Sequence, residues 1–110
     1  MYMVIRKYDI FPTTIEEFIR DVQEHLTPII SRMPGFRDYY LLEITDREVV
    51  VVTIFDTLAD AKRCGQETMA WVAKHSEVFF QGFSKPIAGQ VRFRCKPSQA
   101  AETDLLQGSF

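Results

Sequence analysis

With 110 residues, a net charge of −2, 46% apolar and 25% charged residues, the chain has the make-up of one ordinary globular domain, and nothing in it is collagenous, low-complexity or disulfide-dense. Basic residues are scattered as Arg6/Lys7, Lys62/Arg63 and Arg92/Arg94, so the basic stripe of a nucleic-acid binder is missing and no nucleic-acid partner is expected. Cys64 and Cys95 lack metal-ligand spacing, no secretory leader is read, and no apolar run reaches the roughly 20 residues of a membrane helix; free thiols, no metal, no membrane partner and a cytoplasmic location are expected.

Tyr2 to Tyr8 (YMVIRKY) is rich in strand formers and ends at "DIFP", so it predicts a first strand. Thr14-Ile15-Glu16-Glu17 matches a capping box and opens a helix. Its apolar stripe is Ile15, Phe18, Ile19, Val22, Leu26, Ile29, Ile30 and Met33, spaced three and four apart. Pro28 inside that stripe removes a backbone donor, which predicts a bend near Glu24 to Pro28. "MPGF" (Met33 to Phe36) ends the helix.

Arg37 to Ile44 (RDYYLLEI) and Glu48 to Phe55 predict a hairpin turning at Thr45-Asp46-Arg47. Asp56 and Thr57 offer an N-cap for a second helix running to about Ser76, its inward face marked by Leu58, Ala61, Gly65, Met69, Val72, Ala73, Ser76, Phe79 and Phe80. Ile87 to Cys95 reads as a last strand, with Arg92 and Arg94 on its polar face as rim charges or anion contacts. Residues 1–95 thus form one domain, and 96–110 are expected to be a mobile tail that docks, if at all, through Leu105, Leu106 and Phe110.

The order β-α-β-β-α-β is the ferredoxin-like α+β unit, a four-stranded antiparallel sheet with two helices on one face. Val49 to Val52, Ile54 and Phe55 are apolar without alternation, which calls for cover on both sheet faces, and the helices supply only one layer. A second copy packed face to face is the expected cover, giving a homodimer.

Order, length, "MPGF", "VVVVTIFDTLADA" and "WVAKH" together resemble the antibiotic biosynthesis monooxygenase-like (ABM) domains of the dimeric α+β barrel superfamily. The resemblance covers Tyr2 to about Cys95 and implies a small cytoplasmic homodimer with a pocket between sheet and helices. Characterised relatives in that family include oxygenases of polycyclic phenols that use no cofactor, haem-degrading oxygenases and enzymes acting on small signalling molecules. The haem-degrading branch relies on an asparagine that this chain lacks entirely. Where many members place a tryptophan at the end of strand three, Phe55 stands here.

Cys64, Thr68, Trp71 and His75 are spaced four, three and four apart, which aligns them along one flank of the second helix. Trp71 can stack on an aromatic ligand and His75 can move a proton, so both are candidate catalytic residues. Cys64, Thr68, Phe55, Tyr39 and Tyr40 are candidate ligand contacts. The same residues also fit a purely structural role, with Trp71 packed on the first helix and His75 at a helix end; His25 reads as solvated or capping. Tyr39 and Tyr40 point to opposite faces, and the sequence leaves open which one meets a pocket. Two functions follow: a monooxygenase that needs no metal or flavin and acts on a small phenolic or quinol-like compound, or a non-catalytic dimeric module of the same fold.

Overall fold

A computed structural model describes residues 1–12, 14–75 and 79–98. Strand β1 (Tyr2–Ile10) leads to a composite helix: α1 (Ile15–Asp21), a π-helical turn (Val22–Leu26) and α2 (Thr27–Ile30). Strands β2 (Phe36–Glu43) and β3 (Glu48–Phe55) form the hairpin, α3 spans Leu58–His75, and β4 (Phe80–Phe83) and β5 (Ile87–Gln90) complete the order. The sheet is antiparallel throughout, in the order β2-β3-β1-β4, with β5 also on β1. β4 pairs with the C-terminal end of β1 and β5 with its N-terminal end, so two short strands share the fourth position of the expected ferredoxin-like sheet.

The last strand was expected at Ile87 to Cys95; it starts at Ile87 and stops at Gln90, and an additional short strand precedes it. Phe80, expected on the helix, opens β4, and residues 91–98 carry no regular structure although the Val91 amide still bonds the Met1 carbonyl at 2.8 Å. Ser76 and residues 99–110, including the expected tail contacts Leu105, Leu106 and Phe110, lie outside the described residues.

The valine run resolves into two faces. Val49, Val51, Thr53 and Phe55 are buried under the helices, whereas Val50, Val52 and Ile54 are half-buried on the other face. In the register, Tyr40 and Leu42 of β2 join that second face, opposite Val52 and Val50, and Ile87 lies opposite Ile5. Tyr40, Leu42 and Ile87 are exposed, so the outer sheet surface is apolar and open in a single chain.

Near the point where Pro28 predicts a bend, the α-helical winding of helix one is interrupted by a π turn at Val22–Leu26. Phe18, Val22, Leu26 and Ile30 are the buried residues of its stripe, while Ile29 is 52% exposed. Four-residue steps overshoot a 3.6-residue turn by about 40° each and would drift about 120° round a regular α-helix over three steps. The wider i→i−5 turn takes much of that rotation back and keeps the four side chains in line. There the Thr27 amide bonds the Val22 carbonyl, Pro28 has no N–H to offer, and the Thr27 hydroxyl donates to the Gln23 carbonyl at 3.2 Å.

The expected capping box does not form. The Thr14 hydroxyl donates instead to the Phe11 carbonyl at 2.7 Å, leaving the first turn without a side-chain cap. Thr57 does cap α3, accepting from the Asp60 amide at 3.2 Å. Gly35, in the "MPGF" turn, has φ +77°, and a Cβ there would fall 2.1 Å from Asp60 Oδ2, so both backbone and space exclude a side chain. No helix among the described residues is long and apolar enough to cross a membrane.

Candidate functional site

The centre of the layer between sheet and helices is filled with rings. Phe18 meets Trp71, Phe79 and Phe80 at centroid distances of 6.0, 5.7 and 5.5 Å, and Tyr8 lies 5.2 Å from Phe80. Cavities therefore open on either side of that plug.

The larger cavity, about 650 Å³, lies between β1, α3 and the start of β5. Val4 and Arg6 form part of its floor, Ala61, Gly65 and Met69 its helical wall, and Pro86 its outer edge. A cleft of about 420 Å³ lies on the other side, between the π turn and β2; Val22, Gln23 and Thr27 face Tyr39, Leu41 and Glu43 there.

Arg6 and Tyr8 share the inward face of β1 with Val4 and Ile10. Tyr8 and Ile10 are 4% and 0% exposed, and Arg6 is half-buried. The Arg6 Nη1 lies 3.5 Å from the Met69 sulfur. Its other terminal nitrogen lies 2.9 Å from the point where a Cβ would stand on Gly65. A glycine inside a helix costs about 1 kcal/mol relative to alanine; here it leaves room for the guanidinium to lie against α3.

Burial pushes the Tyr8, Tyr39 and Cys64 acid groups up, and in each case the Arg6 charge opposes the shift. Tyr39 is raised well beyond the usual phenol range, burial first and the neighbouring Tyr8 and Cys64 next. The Cys64 thiol is also held by Thr68, whose hydroxyl is 3.8 Å from Sγ. Arg6, Tyr8, Tyr39 and Cys64 thus act on one another electrostatically.

Of the residues singled out from sequence, Tyr39, Cys64 and Thr68 come together in this layer. Tyr39 lines the smaller cleft, which answers the question left open between the two tyrosines. Tyr40 is on the open face, 53% exposed, beside Met3, Ile54 and Phe93. Phe55 is fully buried against Phe36, at 5.8 Å, and borders neither cavity.

The row Cys64, Thr68 and Trp71 is itself the buried face of α3, with Ala61 and Val72; Leu58 and Ala73 of the expected inward stripe are exposed, and Gly65 and Met69 half-buried. Trp71 packs on Phe18 of helix one, while Cys64 lies toward Arg6 and Tyr39 of the sheet. Trp71 is 8% exposed, and its indole N–H has no partner among the described residues. His75 stacks on Trp71 at 4.4 Å and caps its own helix, with Nδ1 2.8 Å from the Trp71 carbonyl and Nε2 3.3 Å from Asp21 Oδ2. It lines an outer groove with Glu17, Arg20 and Glu24, apart from the two cavities. His25 is exposed near Asp21, at 3.5 Å.

Arg6 and Tyr8 escaped the sequence reading, which took Arg6 as one of the scattered surface cations. The signal that could have found them is the alternation of β1, which puts Val4, Arg6, Tyr8 and Ile10 on one side.

Comparison with known proteins agrees with this architecture. Residues 1–67 match the family profile "Antibiotic biosynthesis monooxygenase" (ABM). No curated protein matches the sequence. Among solved structures, the ActVA-Orf6 monooxygenase of Streptomyces coelicolor, in complex with nanaomycin D, is similar at a TM-score of 0.70 and 16% identity, covering 88% of this chain and 92% of that one. HapK of Hahella chejuensis gives 0.71 and 14%, covering 89% and 99%. SnoaB, a cofactor-independent oxygenase of Streptomyces nogalater, gives 0.63 and 14%, covering 84% and 94%. At these identities the structures speak for the fold, and the profile match over residues 1–67 of 110 speaks for kinship: the chain belongs to the antibiotic biosynthesis monooxygenase (ABM) family.

Proposed function

We propose that the protein is a cofactor-independent monooxygenase acting on a small aromatic compound, phenolic or quinol-like, bound between sheet and helices. The observation that carries this reading is the cavity of about 650 Å³ beside β1, mostly apolar with a few polar groups, a size within the roughly 300–1,000 Å³ of small-molecule sites. The names of two similar structures, one a monooxygenase with a bound ligand and one a cofactor-independent oxygenase, favour the same reaction class.

In the reaction, a ring carbon bearing two hydrogens loses them with one atom of O₂ as water and keeps the other atom as a carbonyl oxygen. The substrate anion supplies the electrons, and the protein binds and orients it. Tyr39, kept protonated by burial, lines the smaller cleft across the aromatic plug and stays in the proposal as a ligand contact from that side. Cys64, Thr68, Tyr40 and Phe55 stay in the proposal as contacts that shape the layer or, for Tyr40, its outer face. Trp71, stacking on the ligand, and His75, handling the proton, stay in the proposal as the catalytic residues. Support comes from the ring stack and from Asp21: Nδ1–H donates to the Trp71 carbonyl, and Nε2 faces the Asp21 carboxylate at 3.3 Å.

The proposal includes a homodimer through the open sheet face and a cytoplasmic location; free Cys64 and Cys95 suit a reducing compartment. A non-catalytic module of the same fold is the second reading, favoured by Phe18 and Phe80 filling the centre. Oxygen uptake with anthrone- and quinol-like compounds decides between them. Uptake is expected with the wild-type protein and slower uptake with His75→Ala. Turnover unchanged in that variant would remove His75 from the mechanism, and binding without uptake would leave the module.

A further inference from the structure

Arg6 is a cation without an anion. Its guanidinium carries five donors and stays charged at any physiological pH. Among the described residues, no carboxylate pairs with it; its contacts are neutral, the Met69 thioether, a weak acceptor, and the Tyr8 hydroxyl. The cavity it faces holds a second cation, Lys62, and no acidic side chain, although the chain as a whole is net negative. A charge at an apolar wall is costly unless something pairs with it. The glycine at position 65 is what lets the guanidinium lie along α3 instead of turning outward.

We propose that Arg6 anchors an ionised ring oxygen of the ligand in the cavity between β1 and α3, so that the site selects phenolates over neutral aromatic compounds. The inference rests on the monooxygenase reading for its biological sense, since an oxygen reaction without a cofactor starts from the substrate anion. It stands or fails on binding alone. The planar fork of the guanidinium suits such an oxygen, and charge-assisted bonds of this kind are worth about tenfold or more in affinity. Residues that respond to the Arg6 field, Tyr8, Tyr39 and Cys64, border the same layer.

The test uses 4-nitrophenol, whose ionisation changes its absorbance, beside 4-nitroanisole, the same ring with its oxygen methylated. The wild-type protein is expected to bind the phenol about tenfold tighter than the ether, and the bound phenol to ionise about one pH unit lower than the free compound. Arg6→Gln should abolish both effects, whereas Arg32→Gln, which removes an exposed positive charge elsewhere, should abolish neither. Gly65→Ala is the second variant: its Cβ displaces a flexible side-chain end, so the fold is kept and helix propensity improves, yet the preference should fall. Equal binding of the two probes by the wild-type protein, or a preference that persists in both Arg6→Gln and Gly65→Ala, would overturn the assignment. Preference for the phenolate without oxygen uptake would leave Arg6 in place and remove only the oxygenase reading.

Discussion

Burial sets the chemistry of the acid groups between sheet and helices. Tyr8, Tyr39 and Cys64 all have raised pKa values, so their neutral forms are favoured in the fold. Their contribution to stability is fully present below the ordinary values, 9.0 for the thiol and 10.0 for the phenols, and is lost as pH rises above them. The denaturation midpoint should therefore stay flat with respect to these groups up to about pH 9 and fall beyond it; Tyr39→Phe should shallow that fall, and an identical profile in the variant would contradict the burial argument. At this scale the sequence was partly legible. The four-three-four spacing of Cys64, Thr68, Trp71 and His75 did mark a continuous row, but neighbouring flanks of α3 both carry small and apolar residues, so the pattern could not say which flank packs inward. Arg6 was hidden by the ordinary habit of arginine, which is to be exposed.

Helix one shows how an element answers to its stripe. Phe18 is 1% exposed and surrounded by aromatic rings, and Phe18→Ala should cost about 3–5 kcal/mol of unfolding free energy. Ile29→Ala should stay within about 0.5 kcal/mol, because Ile29 points to water. Chemical denaturation of the two variants checks the contrast; equal costs would mean that the stripe is misplaced. The helix itself, an irregularity near Pro28, the hairpin and the N-cap at Thr57 were all readable from period and turn chemistry. The π geometry was not, because spacing records which residues face inward and leaves the winding between them free. The Thr14 cap failed for a local reason: its hydroxyl found the Phe11 carbonyl first. The extra strand from Phe80 to Phe83 was missed because Phe79 and Phe80 fall at helical spacing from Val72 and Ser76, and only the pairing of Phe80 with Ile10 reveals otherwise.

At the scale of the whole molecule, one sheet face lies under helices and the other is apolar and open. A second copy remains the proposed cover for Tyr40, Leu42 and Ile87. Sedimentation of the wild-type protein at micromolar concentration should give twice the chain mass, and Leu42→Glu should give the single chain with its circular dichroism unchanged; a wild-type protein already at single-chain mass would refute the pairing. How copies can meet is also constrained by the break in the fourth sheet position. Between β4 and β5 stand Ser84, Lys85 and Pro86, a charge and a residue without an amide hydrogen. That rim offers no continuous ladder to a stranger's backbone, which discourages growth by strand addition into fibrils. Chains of this design are thereby steered toward a closed, finite assembly, since this border of the sheet is blunted.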